Sequence, residues 1–326
     1  MRSVCCRQFG LPKDLEFIQV DIPTTKSNEA LIDVKAAGVG FVDGLMVQGQ
    51  YQVKPPLPYY PGSEFAGVIT EIGNAVTNFK PGDRVMGLVA SGAFSDYVVA
   101  DAAGLIKLPD VLDDLTAAGF YINYSTALYG LRDCGKLQTG ETILILGAAG
   151  GVGSAVISVA KAMGARVIAA ASSDAKRIAA SEYGADDVVD YSSKTWRDAL
   201  KTLTDETGLN VVCDPVGGDV SEPAFRCLSP GGRFLVVGFA SGTIPSIALN
   251  LPLLKRSSII GVDFGGEYRA NPSTSIELME TLMSWVRNGK LNPAAVASRN
   301  MTDAREALTD QLAGKIVGKL VLVNTT

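Results

Sequence analysis

The chain has 326 residues, of which 47% are hydrophobic and 19% are charged, and its net charge is −5. This length predicts about two domains, and the composition is typical of a globular enzyme with a large core. The acidic balance, without a basic block, argues against nucleic acid as a partner. The chain contains no histidine, which excludes a Ser-His-Asp triad, a histidine general base and every histidine-ligated metal site.

Targeting signals and cysteines indicate the compartment. No apolar targeting segment follows the N-terminal methionine. The five cysteines have no regular spacing, which indicates reduced thiols that pack as small hydrophobic side chains. We therefore expect a cytoplasmic protein that has neither a membrane nor a nucleic acid as its partner.

Residues 1 to about 120 form a β-rich region. Short apolar runs, such as Ala30–Val34 and Gly67–Ile72, are separated by turn signals such as Pro81-Gly82-Asp83. This pattern predicts a domain of short strands.

From Thr139 onward the pattern changes to an alternation of strands and helices. The predicted strands are 143–146, 166–171, 187–191, 211–214, 234–237 and 258–262, and the predicted helices are 153–163, 174–183, 196–206 and 275–286. Such alternation predicts an α/β fold with a doubly wound parallel sheet. A last strand at 318–323 is expected to fold back onto the N-terminal domain.

A glycine cluster lies between the first predicted strand and helix of this region. It reads Gly147-Ala148-Ala149-Gly150-Gly151-Val152-Gly153, with alanine at the first position of the dinucleotide-binding fingerprint. Gly150 would let the backbone approach a pyrophosphate, and Gly153 would let the helix pack closely on the strand. Glycine clusters also form ordinary turns, but the strand before this one and the helix after it favour a dinucleotide site. The predicted cofactor-binding residues here are Ala149, Gly150, Gly151, Val152 and Gly153.

The end of the second predicted strand selects the nicotinamide cofactor. An NAD site requires Asp or Glu there to bind the ribose 2′-hydroxyl, but this strand ends in Ser172 and Ser173. Hydroxyl groups accommodate a 2′-phosphate, and Lys176 or Arg177 could neutralise it, so the sequence favours NADPH. Ser173 is also a candidate helix N-cap, Lys176 could be a solvated helix charge, and Asp174 suits a first helical turn.

Several motifs together resemble a known superfamily. They are Cys6-x-x-Phe9-Gly10, Gly49-x-Tyr51, Pro58-Tyr59-Tyr60-Pro61-Gly62-Ser63-Glu64-Phe65-Ala66-Gly67, Pro81-Gly82-Asp83-Arg84-Val85, Asn123-Tyr124-Ser125-Thr126-Ala127, the glycine cluster, Asp214-Pro215-Val216-Gly217-Gly218 and Gly231-Gly232-Arg233. Over nearly its whole length the chain resembles the medium-chain dehydrogenase/reductase superfamily, and within it the zinc-free quinone oxidoreductase branch that includes the zeta-crystallin-like proteins.

The resemblance implies a fold and a set of cofactor contacts. It implies a GroES-like β-rich catalytic domain, residues 1–124 and 266–326, and a Rossmann NADPH-binding domain, residues 125–265. It also implies a homodimer paired through the Rossmann sheet. The further residues that it places at the cofactor are Asn123, Thr126, Tyr191, Gly238 and Phe264. Asn123 and Thr126 could instead cap a helix, and Phe264 could be a core aromatic.

The resemblance also bears on zinc and on the substrate cleft. Zinc-dependent relatives carry Gly-His-Glu where this chain has Gly62-Ser63-Glu64, so no metal site is expected and alcohol dehydrogenation is disfavoured. Many members carry Asn at the position of Gly40, so Gly40 widens the expected substrate cleft, which also includes Phe264. Asp43 is expected beside that cleft, with a structural turn or cap as the favoured alternative.

Tyr51 is the candidate catalytic residue. It matches the tyrosine that lines the cleft in this branch, and its hydroxyl is expected to donate a hydrogen bond to the acceptor's carbonyl oxygen; its alternative is a half-buried aromatic at a strand end. Tyr59 and Tyr60 are expected to be structural. Lys315 and Lys319 are expected to be solvated, with contact to a phosphate as the alternative.

Three functions remain open. The favoured one is transfer of a hydride or electrons from NADPH to a quinone. The second is NADPH-dependent reduction of the double bond of an enone or enoyl substrate. The third is a non-catalytic, crystallin-like NADPH-binding protein.

Overall fold

The computed structural model describes residues 1–324, which form two compact units. The first unit combines Met1–Ile122 with the C-terminal segment that starts at Ala295, and the second unit is Asn123–Ala294. Each unit has its own main sheet and its own core, and the first unit also contains a small two-stranded sheet.

The strands in chain order are β1 (Arg2–Cys5), β2 (Glu16–Gln19), β3 (Glu29–Val39), β4 (Glu64–Ile72), β5 (Arg84–Leu88), β6 (Tyr97–Asp101), β7 (Ile106–Lys107), β8 (Thr142–Leu146), β9 (Arg166–Ala171), β10 (Asp187–Asp190), β11 (Leu209–Asp214), β12 (Leu228–Val236), β13 (Ser258–Gly261), β14 (Val296–Asn300) and β15 (Lys319–Val323). The α-helices are α1 (Phe41–Val47), α2 (Asp114–Ala118), α3 (Tyr121–Leu128), α4 (Gly151–Ala162), α5 (Asp174–Glu182), α6 (Trp196–Leu203), α7 (Ser221–Phe225), α8 (Asn250–Lys255), α9 (Phe264–Ala270), α10 (Pro272–Arg287) and α11 (Ala304–Leu312).

The first unit is organised around β3. This strand pairs antiparallel with β4, β6 and β15. The sheet has seven strands: six follow the order β14-β15-β3-β4-β5-β7, and the seventh, β6, pairs with β3 outside this order. Alternate side chains of β3 are completely buried, including Ile32 and Val34, as expected for a strand with a core on one face. The β-rich prediction for this region is confirmed.

The C-terminal strand belongs to the first unit, as the sequence predicted. Leu320 of β15 lies opposite Val39 of β3, and the pairing continues to Val323 opposite Ala36. The chain therefore returns to the N-terminal sheet after it has formed the whole second unit.

The second unit is a doubly wound parallel sheet. Its six strands have the order β10-β9-β8-β11-β12-β13, and every pair is parallel. Continuous apolar runs such as Ile143–Leu146 are fully buried, because helices cover both faces of such a sheet. This order is that of a Rossmann fold.

Most predicted bounds in this unit are close to the structure, and three differ for local reasons. α4 begins at Gly151, two residues before the predicted start, with Gly150 as its N-cap. α6 ends at Leu203 because Asp205 and Glu206 have positive φ angles of 47° and 60°. The predicted turn at Pro230–Gly232 is a bulge inside β12, where the pairing jumps from Leu228 to Arg233.

The second domain boundary also differs from the one that the resemblance implies. Residues 266–294 lie in the second unit, because α10 packs on α3: the Ser125 hydroxyl donates to Met279 Sδ at 3.3 Å. The backbone N–H of Ala294 donates to the Tyr124 hydroxyl at 2.7 Å. Among residues 1–324, no helix is long and apolar enough to cross a membrane.

The packing of α4 on β8 generates a stability prediction. A Cβ atom at Gly153 would lie 2.4 Å from the Gly147 carbonyl oxygen and 2.7 Å from Ala148 Cα. We expect Gly153→Ala to lower the free energy of unfolding by about 1–3 kcal/mol, because the helix must shift off the strand. Denaturant unfolding measures this. Gly150→Ala is the control, since its Cβ would meet only the Gly147 oxygen at 3.3 Å; an equal loss in both variants would contradict the account.

Candidate functional site

The loops that follow the parallel strands meet at one edge of the second unit, which we call the carboxyl edge. The chain runs outward from β8 through β9 and β10 on one side, and continues through β11, β12 and β13 on the other. The strand order therefore reverses between β8 and β11. In open α/β sheets, ligands bind in the crevice at this switch point.

The glycine cluster forms the turn from β8 to α4 at this edge. Gly147 has a φ of +58°, which favours glycine. The N-cap residue of α4 is Gly150, which has no side chain that could accept a hydrogen bond from the start of the helix. The first N–H groups of a helix also have no acceptor within the helix. These N–H groups and the positive end of the helix dipole suit a phosphate. The loop therefore fits the pyrophosphate of a dinucleotide.

The end of β9 presents hydroxyl groups. Ser172 and Ser173 are both exposed, and Ser173 is also the N-cap of α5, because its Oγ accepts a hydrogen bond from the Lys176 backbone N–H at 3.4 Å. The predicted cap is thus confirmed, and the side chain of Lys176 lies on the first turn of the helix that begins here.

The two carboxylates nearest this strand end are both paired with Arg177. Its guanidinium contacts Asp174 directly and lies 3.1 Å from Asp190 Oδ2. Hydrogen bonds from Ser192, together with the nearby Arg177, hold the pKa of Asp190 below its usual range. Arg177 is therefore paired with these two acids, and Lys176 stays a predicted cation for the 2′-phosphate.

Asp214, at the end of β11, is a site-building residue that the sequence did not identify. It is 2% exposed, and its Oδ1 accepts from the backbone N–H groups of Val216 at 2.8 Å and Gly217 at 2.9 Å. Its Oδ2 accepts from the Ser221 hydroxyl at 2.5 Å. The carboxylate fixes the loop beside the switch point. The sequence contained one signal for this residue, the Asp214–Gly218 motif, but that motif indicated the family and not the role of the carboxylate.

The remaining predicted cofactor residues all lie in the second unit. Asn123 and Thr126 are buried within α3, so neither is an N-cap. Tyr191 follows β10 and packs half-buried against the core of the unit. The Gly238 N–H donates to the Asp214 carbonyl oxygen at 3.3 Å. Phe264 begins α9, with its ring centroid 6.4 Å from that of Tyr129.

In the first unit, Asp43 caps α1. Its Oδ2 accepts from the Gly40 backbone N–H at 2.7 Å, and its Oδ1 accepts from the Ser63 hydroxyl at 3.2 Å. The favoured interpretation of Asp43 as a cap is therefore confirmed. The carboxyl group is 2% exposed, and burial raises its pKa to about 6.

The prediction that Lys319 is solvated is wrong. Lys319 is 7% exposed and makes a direct ion pair with Glu64, which is 1% exposed. β3 lies between β15 and β4 in the sheet, so the Lys319 side chain reaches across β3 to Glu64 at the start of β4. Glu64 also accepts from the Ile122 backbone N–H at 3.1 Å. Lys315, by contrast, is exposed and lies 3.4 Å from Asp310.

Tyr59 and Tyr51, both in the first unit, differ in how deeply they are buried. Tyr59 is 2% exposed, and its hydroxyl donates to Met46 Sδ at 3.6 Å, so its structural assignment is confirmed. Tyr51 is half-buried. It lies in a bend after α1, not at a strand end, and follows Gly49, whose φ is +67°. Its side chain is therefore placed by an irregular segment.

Family models match both units. The GroES-like domain of alcohol dehydrogenases matches residues 26–110, and the family described as zinc-binding dehydrogenase matches residues 151–282. The chain is 37% identical to quinone oxidoreductase-like protein 2 of Rattus norvegicus, over 98% of this chain and 91% of that one.

Solved structures of similar proteins match nearly the whole chain. The quinone oxidoreductase of Escherichia coli complexed with NADPH has a TM-score of 0.89 at 27% identity, covering 99% of this chain and 100% of that one. The CurK enoyl reductase has a TM-score of 0.89 at 25% identity, with 99% of each chain covered. The chain belongs to the zinc-free quinone oxidoreductase branch of the medium-chain dehydrogenase/reductase superfamily.

Proposed function

We propose that this protein is an NADPH-dependent reductase that transfers a hydride or electrons to a quinone without zinc. The observation that carries the proposal is made at the end of β9. The exposed hydroxyls of Ser172 and Ser173 lie where an NAD site has a carboxylate. The adjacent carboxylates, Asp174 and Asp190, are paired with Arg177. The similarity to an NADPH-bound quinone oxidoreductase supports the same assignment.

The carboxyl edge provides the cofactor site in this proposal. Ala149, Gly150, Gly151, Val152 and Gly153 hold the pyrophosphate at the start of α4. Ser172, Ser173 and Lys176 bind the 2′-phosphate. Bound NADPH supplies the hydride, and the other contacts come from Asn123, Thr126, Tyr191, Gly238 and Phe264.

The acceptor site lies on the first unit in this proposal. Tyr51 donates a hydrogen bond to the acceptor's carbonyl oxygen and stabilises the charge that develops there. Gly40 borders the acceptor, and the buried Asp43 holds the Gly40 backbone N–H from behind. Zinc is not needed, because a quinone spreads the incoming charge over its own ring. The residues also do not suit zinc: the chain has no histidine, and residues 1–324 contain no group of three or more Cys, Asp or Glu side chains able to hold a metal.

Reduction of an enone is the second candidate function. A Cβ atom at Gly40 would meet only Asp43 Oδ2 at 3.0 Å, with its other neighbours at 3.8 Å or more. The missing side chain therefore leaves room for an acceptor that is less flat than a quinone. The similarity to an enoyl reductase points the same way.

We further propose a cytoplasmic homodimer. All five cysteines are free, which suits a reducing compartment. The last strand of the parallel sheet, β13, has an edge without a partner strand in residues 1–324. Exposed apolar side chains lie on it and beside it; Ile259 is 42% exposed, Leu249 82%, Leu253 76% and Leu254 75%. Pairing of β13 with its copy would cover this edge.

The phosphate site generates a prediction about cofactor choice. We expect Lys176→Ala to weaken NADPH binding by about 10- to 100-fold, because a charge-assisted hydrogen bond to phosphate contributes roughly 1.5–3 kcal/mol. NADH binding should be nearly unchanged. Calorimetry with both cofactors measures this, and Lys201→Ala on α6 is the control. An equal loss for NADPH and NADH would rule out the 2′-phosphate role.

The acceptor site generates a prediction about turnover. We expect Tyr51→Phe to lower kcat for a quinone by about 10-fold or more, because it removes a donor to the developing oxyanion. Its KM for NADPH should stay within about twofold. Steady-state NADPH oxidation measures both, with Tyr60→Phe as the control; unchanged turnover in Tyr51→Phe would show that the ring only packs.

The edge strand generates a prediction about assembly. We expect Ile259→Lys to convert the dimer into a monomer, because a charge at a paired edge must be desolvated. Light scattering after size-exclusion chromatography measures the mass. Ile178→Lys changes an isoleucine that is 61% exposed on α5 and should leave the dimer intact. A dimeric Ile259→Lys variant would contradict this interface.

A further inference from the structure

Asp43 is buried, yet it accepts a hydrogen bond from the hydroxyl of Ser63, a residue that is less buried. Both of its oxygens are occupied: Oδ2 by the Gly40 N–H and Oδ1 by the Ser63 hydroxyl. The capping bond alone would be satisfied by any acceptor at this position. The bond to Ser63 is additional, and Ser63, unlike Asp43, is only partly buried.

Three ionisable groups face Asp43 from the packed elements: Glu64 on β4, Lys319 on β15, and Tyr59. The ammonium of Lys319 is committed to Glu64 in a direct ion pair. It therefore lowers the pKa of Asp43 only from a distance, while Glu64 raises it. The Tyr59 hydroxyl is bound to Met46 Sδ, and burial raises its pKa.

The charge balance makes Asp43 the member of this group that can exchange a proton near neutral pH. Ionised Asp43 and Glu64 with one Lys319 leave the buried group with one excess negative charge. Uptake of one proton removes that excess, and burial, as the main cause, raises the pKa of Asp43 to about 6.

We propose that Ser63 and Asp43 form a proton relay that protonates the oxygen of the reduced acceptor. This inference rests on the proposed function and adds Ser63 to its acceptor site, because Asp43 joins Ser63 to Gly40 through its two oxygens. Ser63 is the catalytic residue in it, and Asp43 is a positioning residue that acts through Ser63.

Hydride from NADPH adds to the quinone or enone and leaves an oxyanion on the product, while NADPH becomes NADP⁺. The Ser63 O–H bond breaks as its proton bonds to that oxygen. The proton of neutral Asp43 moves to Ser63 Oγ and restores the hydroxyl. Asp43 is left as a carboxylate and takes its next proton from water.

The relay is tested by the pH dependence of turnover at saturating NADPH, between pH 5 and 8, with a naphthoquinone as acceptor. In the wild type, kcat is expected to fall as pH rises through the region in which Asp43 loses its proton. Asp43→Asn keeps an oxygen for the Gly40 N–H but holds no exchangeable acid proton. It should have at least about 10-fold lower kcat at low pH, with the fall abolished.

Variants of Ser63 separate the relay from a structural role. Ser63→Ala should behave like Asp43→Asn, and Ser63→Thr, which keeps the hydroxyl, should recover most of the turnover and the pH dependence. Asp113→Asn is the matched control, because Asp113 caps α2 through the Thr116 N–H at 2.7 Å. A wild-type pH profile in Ser63→Ala or Asp43→Asn overturns the relay.

A measurement on the protein alone separates failure of the relay from failure of the proposed function. The carboxyl carbon of Asp43, followed by NMR without cofactor, should titrate near pH 6 and at a higher pH in Ser63→Ala, which loses a donor to the carboxylate. Titration below about pH 4.5, the ordinary range of a carboxyl group, overturns the relay whatever the acceptor. Absence of NADPH oxidation with an Asp43 that titrates near pH 6 overturns the proposed function and, with it, the relay.

Discussion

The close approach of α4 to β8 at Gly153 is the constraint on which the second unit depends. A Cβ atom there would collide with the backbone of Gly147 and Ala148, so only glycine lets the helix start directly over the end of the strand. Because the helix starts there, its free N–H groups lie at the switch point between β8 and β11. The position of the glycine cluster thus follows from one missing side chain.

The first unit depends on a different constraint, the burial of charge. Glu64, Lys319 and Asp43 are all less than a tenth exposed, and each needs partners to offset the loss of water. The Glu64–Lys319 pair joins residues that are 255 positions apart and connects the C-terminal strand to β4. The nearby cation, Lys319, is paired with Glu64 and not with Asp43, so of these three groups Asp43 carries the charge that is least well compensated.

The local features of the fold could be predicted from the sequence. β9 has the predicted bounds, and the N-cap at Ser173 was identified because apolar runs, caps and glycines act within a few residues. The bulge in β12 was predicted as a turn, since Pro230 and the two glycines after it signal a turn but do not show whether pairing resumes across it.

Features that depend on distant residues could not be predicted in this way. Lys319 was interpreted as solvated, because nothing near it in the sequence indicates Glu64. The role of Asp214 was missed because its partners are loop N–H groups whose direction depends on backbone conformation. The roles of Tyr51, Gly40 and Phe264 at the acceptor remain predictions, because these came from the resemblance and not from a local pattern.

The most direct test of the account is the oxidation of NADPH by the wild-type protein in the presence of an ortho-quinone, followed by absorbance, with NADH as the paired cofactor. The account predicts rapid oxidation of NADPH and slow or no oxidation of NADH, because the hydroxyls at the end of β9 suit a 2′-phosphate. Equal rates with both cofactors would contradict the phosphate site. Binding of NADPH without oxidation, by a quinone or by an enone, would contradict the assignment as a reductase.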